Sequence, residues 1–123
     1  MGYRSTVVLV VGKEVMPNFM AALSQEPEAQ ELVFANHDVL IKDYLGDGNL
    51  LVKWENIKWY EDYSPVAKIM SFINCPEDYG SEMIEEKHPD EFFKFCRIGE
   101  ESTDTEEFGH GFWDVHISRS IEY

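Results

Sequence analysis

At 123 residues the chain has the size of one domain, and 44% apolar with 14% aromatic residues suffices for a core without metal or disulfide staples. Twenty-four acids against ten Lys and Arg leave a net charge of −14. Such a field repels nucleic-acid phosphates and anionic membrane surfaces, and leaves basic protein surfaces and cations as partners.

Tyr3 to Val11 is valine-rich and ends at Gly12; its unbroken apolar half predicts a central strand covered on both faces. Too short for a signal peptide or a membrane span, and with no basic segment before it, this run implies neither. Helical spacing follows from Glu14 to about Asn36, with Met16, Phe19, Met20 and Leu23 on one face. Pro27 is costly inside a helix, so a break is expected near Gln25, with a second short helix carrying Ala29, Leu32 and Val33.

Asp38 to Leu45 reads equally as strand or helix. Gly46-Asp47-Gly48-Asn49 is a turn signal. Leu50 to Trp54 reads as a strand, Glu55-Asn56 as a tight turn and Ile57 to Tyr60 as a further short strand; the alternative is one bent strand with a bulge. Ser64-Pro65 starts a helix, with the hydroxyl at N-cap and proline at N1. Val66, Ile69, Met70 and Ile73 form its buried stripe, and Pro76 stops it.

Glu77 to Glu91 is polar, with at most a helical turn at Ser81 to Lys87. Phe92 to Ile98 is strand-like, and Gly99 to Gly111 has loop chemistry. From Phe112 to Tyr123, Trp113, Val115, Ile117 and Ile121 alternate with polar residues, which predicts a half-buried strand. The order β-α-β-β-α-β-β predicts one α+β domain over residues 1–123: a ferredoxin-like sandwich with a mostly antiparallel sheet and helices on one face.

Charge is uneven along the chain. Glu61 to Glu107 carries fourteen acids and four bases, and Glu100 to Glu107 alone holds five acids in eight residues. Glu100, Glu101, Asp104, Glu106 and Glu107 are therefore candidates for docking on a basic surface, with nucleic-acid mimicry as one form of it. The plainer reading is a solvated loop whose acids keep a sheet edge from aggregating.

Trp59, Tyr60 and Tyr63 lie beside Trp54, with Lys53, Glu55, Lys58, Glu61 and Asp62 interleaved. Tryptophan and tyrosine at strand edges often anchor interfaces; packing under the helices is the competing role for Trp54 and Trp59. Arg4, Arg97 and Arg119 all fall on expected strands. With His116 they define an alternative site for a small ligand or nucleotide, and ion pairing with the acidic excess is the competing use.

No catalytic, metal or cofactor site is expected. His37, His88, His110 and His116 lack metal-pair spacing, and the acidic run does not follow the EF-hand order. Cys75 and Cys96 lack CxxC spacing, and a reducing cytoplasm is the expected setting. Cys96 beside His116 would be a nucleophile and base only if adjacent strands joined them; core packing is the simpler role for Cys96. No phosphate-binding glycine loop is present.

Met1-Gly2-Tyr3-Arg4-Ser5 before a valine-rich strand, Lys58-Trp59-Tyr60 with Tyr63, Arg97-Ile98-Gly99-Glu100 and the Ser118 to Tyr123 ending resemble a group of small proteins of unknown function encoded by tailed bacteriophages. The resemblance implies a phage origin and an infected bacterial cytoplasm, and no mechanism. Small acidic phage proteins often inhibit host enzymes or defence complexes, so the expectation is host takeover or counter-defence by stoichiometric binding to a host protein. A homo-oligomer through an edge strand is a further expectation.

Overall fold

The computed structural model describes residues 4–13, 15–44, 48–60, 62–74, 93–100, 104–109, 116–117 and 121–122, with 44, 116–117 and 121–122 described by backbone alone. In chain order the elements are β1 (Ser5–Val11), α1 (Met16–Ser24), α2 (Pro27–Phe34), β2 (Val39–Tyr44), β3 (Asn49–Ile57), α3 (Ser64–Asn74), β4 (Phe93–Ile98), β5 (Thr105–Phe108), β6 (His116–Ile117) and β7 (Ile121–Glu122). This is an α+β fold. Its main sheet runs β2-β3-β1-β4-β5 with every neighbouring pair antiparallel.

β1 is the centre of the molecule. Register places Leu9 between Val52 and Phe95, and Val11 between Leu50 and Phe93. Val7, Leu9 and Val11 join the large core under the helices, with Phe19, Leu23, Val33, Ile69 and Phe72. Val8 and Val10 point the other way, into a smaller cluster with Leu51 and Cys96. Both faces of β1 are thus buried, as its unbroken apolar run predicts, and each such valine contributes roughly 1.5–3 kcal/mol.

The second face has its own cover. β6 and β7 pair with each other and lie close to β1 and β4. The edges of β1 and β4 are already taken by neighbouring strands, so this pair reaches them over a face, and the helices hold the opposite one.

Several expectations are corrected. The helical region does break at Gln25, and α2 starts at Pro27. The buried face of α1, however, is Asn18, Phe19, Ala22 and Leu23, so Met20 is exposed. Within the ambiguous Asp38 to Leu45, Val39 to Tyr44 form strand β2, because Val39, Leu40 and Ile41 pair with Lys53, Val52 and Leu51, and Leu45 lies outside the described residues.

Of the two readings around Glu55-Asn56, the single strand with a bulge holds: β3 runs to Ile57, and Ile57 to Tyr60 is not a separate strand. The α3 cap shifts by one residue: the Ala67 N–H donates to the Tyr63 carbonyl at 2.7 Å, which makes Tyr63 the N-cap. Gly99 to Gly111 is not all loop, since β5 forms within it and pairs with β4. The single C-terminal strand is replaced by β6 and β7, which leave the main sheet.

Gly48 keeps φ at +77° in the turn signalled by Gly46 to Asn49 and donates its N–H to Asp43 Oδ1. Gly109, at φ +90°, passes so near β4 that an added Cβ would sit 2.3 Å from the Phe93 carbonyl oxygen. Gly46, Asp47, Cys75, Pro76, the stretch Glu77 to Glu91, His110, Gly111 and the Ser118 to Ser120 part of the C-terminal strand lie outside the described residues.

Candidate binding site

At the end of β3 the ladder slips. Ser5 pairs with Ile57 and Val7 with Trp54, so β3 holds one residue more than β1 across this step. Asn56 absorbs the irregularity with φ +54°, a left-handed conformation that asparagine tolerates better than most residues. Arg4, just before β1, donates from Nη1 to the Asn56 carbonyl at 2.8 Å. Asp38, at the mouth of β2, accepts the Glu55 N–H on Oδ2 at 2.6 Å.

The chain then turns sharply towards α3. The Tyr63 N–H donates to the Tyr60 carbonyl, and the Tyr60 and Tyr63 rings lie 5.3 Å apart. Tyr63 is 44% exposed, whereas Trp59 is 7% exposed and packs between Trp54 and Phe95 at 5.1 and 5.9 Å. Trp59 therefore serves the core, while Tyr63 faces solvent. Trp54 is buried too, and its indole N–H donates to the Leu32 carbonyl, tying β3 to α2.

Between the bulge, the end of α2 and the start of α3 lies a partly open pocket of about 370 Å³. Leu32, Trp54, Ile57, Tyr63 and Val66 give it an apolar wall. Arg4, Lys58, Asp38 and Glu55 supply the charged groups. Glu55 is ion-paired to Lys53 at 3.2 Å.

The acidic segment has a different fate. Arg97 on β4 is 9% exposed. Its Nε donates to Glu106 Oε1 at 2.6 Å, its Nη2 to Asp104 Oδ1 at 2.7 Å and its Nη1 to Ser5 Oγ at 3.0 Å. Burial by itself would lower the Arg97 pKa, but the bonds from Asp104 and Glu106 outweigh it and hold the guanidinium above its ordinary value. Glu107 pairs with Lys94 at 3.5 Å, and Glu100 accepts the Arg4 backbone N–H. Asp104, Glu106 and Glu107 are thus engaged within the sheet.

Of the alternative ligand site, the structure joins little. Arg97 turns towards β5 while the Arg4 guanidinium turns towards β3. The side chain of His116 is not described, and Glu101, Glu61 and Arg119 lie outside the described residues. Cys96 is fully buried and its thiol is pushed up to about 12, by burial first and by Glu107 second. Among the described residues no group of three or more His, Cys, Asp or Glu side chains is placed to hold a metal ion, and no helix is long and apolar enough to cross a membrane.

Sequence reasoning marked the aromatic cluster, Lys58 and the Glu55-Asn56 irregularity, and it marked Arg4 separately. It missed that Arg4 and Asp38 join the cluster, because the β1–β3 and β2–β3 registers bring them there from 52 and 17 residues away. No family model matches the chain, and no curated protein or solved structure is detectably similar to it.

Proposed function

We propose that the protein acts by stoichiometric, non-catalytic binding to the basic surface of a partner protein. The observation that carries this reading is the Tyr60–Tyr63 ring pair, with Tyr63 44% exposed beside the exposed Asp62. An exposed tyrosine held by a neighbouring ring loses little entropy when it is buried by a partner. The net charge of −14 adds long-range attraction to a basic surface. The share of the acidic segment is smaller than its composition implies, since Arg97 and Lys94 already hold Asp104, Glu106 and Glu107.

The phage resemblance extends the reading: the partner is then a host protein, bound in host takeover or counter-defence in the bacterial cytoplasm. A small-ligand site built on Arg4, Arg97, His116 and Arg119 has weaker support, because the Arg97 donors are engaged.

The test uses immobilised protein with bacterial lysate at about 0.05 M and about 0.5 M salt, spanning strong and weak screening. Retained proteins are identified, purified and titrated by calorimetry. A 1:1 complex that weakens with salt and loses at least about tenfold in affinity with Tyr63→Ala is expected. Failure to reconstitute any complex, or a complex indifferent to Tyr63→Ala, would overturn the proposal.

A further inference from the structure

We infer that the pocket at the β3 bulge is a binding site for a small monocarboxylate with an aromatic body. This goes beyond partner binding and does not depend on it. The argument begins with the four charged groups in the pocket wall. Glu55 is neutralised by Lys53 at 3.2 Å, and Asp38 takes a backbone N–H from Glu55.

The two cations differ from these acids. The Arg4 guanidinium meets only the Asn56 carbonyl, leaving most of its donor fork unused among the described residues. Lys58 pairs with no carboxylate among the described residues. In a chain of net charge −14, two cations without carboxylate partners at one apolar pocket mark a local preference for an anion.

The pocket also selects the rest of the ligand. Leu32, Trp54, Ile57, Tyr63 and Val66 offer apolar and aromatic surface, and a volume of about 370 Å³ falls at the small end of ligand sites. An aromatic ring fills that wall while its carboxylate reaches Arg4 and Lys58. A phosphate ester fits worse: its second charge meets Asp38 and the field of the whole molecule.

The test is a ¹⁵N–¹H NMR titration of the full chain with phenylacetate and indole-3-acetate, and with phenylacetamide as the neutral isostere. Saturable shifts are expected at the amides of Asn56, Ile57, Lys58 and Tyr63, with phenylacetamide binding at least about tenfold more weakly. Arg4→Gln and Lys58→Gln should each weaken binding about three- to tenfold, and Lys94→Gln, at the other end of β4, should not. The Lys58 side chain makes no hydrogen bond or ion pair among the described residues, so its variant stays informative should Arg4→Gln fail to fold. Absence of saturation by about 10 mM, equal binding of the amide, shifts clustered elsewhere, or affinity indifferent to Lys58→Gln would each overturn the proposal.

Discussion

Arg97 shows how one residue converts excess charge into structure. It draws Asp104 and Glu106 from β5 and its approach, and Ser5 from β1, into one network across three strands. Removing a buried cation leaves its carboxylates without their counter-charge. Because those carboxylates are partly exposed, the loss is smaller than for a fully buried pair, and Arg97→Met should destabilise the fold by about 2 kcal/mol in urea denaturation.

Cys96 is a second residue whose chemistry follows from its surroundings. Its thiol is pushed up to about 12 because burial disfavours the thiolate and Glu107 adds repulsion. A Cys75→Ser variant should therefore react with a disulfide reagent at pH 8 only as fast as the fold opens, while the denatured chain reacts at once. The folded value lies above the unfolded one of 9.0, so the native state holds its proton more tightly. Its contribution to stability is complete below pH 9 and is lost as pH rises towards 12. Denaturation midpoints measured between pH 8 and pH 11 should fall with pH, and less so in Cys96→Ala.

At the level of elements, the β3 bulge is the feature on which the site depends. It widens the end of the sheet, points the Asn56 carbonyl at Arg4 and sends the chain towards Tyr63. A branched residue is strained at φ +54°. Asn56→Val should cost about 1–3 kcal/mol, and Asn56→Gly should stay within about 0.5 kcal/mol of the parent. Urea midpoints compare the two directly. Equal midpoints would show that the backbone there is not held in the left-handed region.

Which elements were legible follows from where their signal lies. The α3 stripe was readable because Val66, Ile69, Met70 and Ile73 carry it within one helix. β1 was readable because an unbroken valine run has few other uses. β5 was not: Thr-Glu-Glu-Phe has no strand pattern of its own, and it pairs with β4 while Arg97 and Lys94 take its carboxylates. The orientation of α1 also escaped, because Met20 and Ala22 compete for the buried face and neighbouring helices decide between them.

For the molecule as a whole, net charge is the dominant electrostatic fact. Twenty-four acids face only ten Lys and Arg, so even complete one-to-one pairing would leave more than half of the acids to repel one another. Raising NaCl from about 0.01 M to about 0.2 M shortens the screening length from roughly 30 Å to below 10 Å and should raise Tm by several degrees. Thermal scans at fixed pH measure this. A falling Tm would mean that specific ion pairs outweigh the general repulsion.

By itself the sequence determined the α+β class, the buried centre, the break between α1 and α2 and the acidic character, because each rests on local pattern or on composition. It could not determine that Arg97 holds Asp104 and Glu106, that Trp59 turns inward while Tyr63 turns out, or that Arg4 and Asp38 meet at the same pocket. Those outcomes come from strand register, which joins residues as far apart as Arg97 and Ser5, 92 positions away. Register is set by the collective burial of two sheet faces, and no local window of sequence contains it.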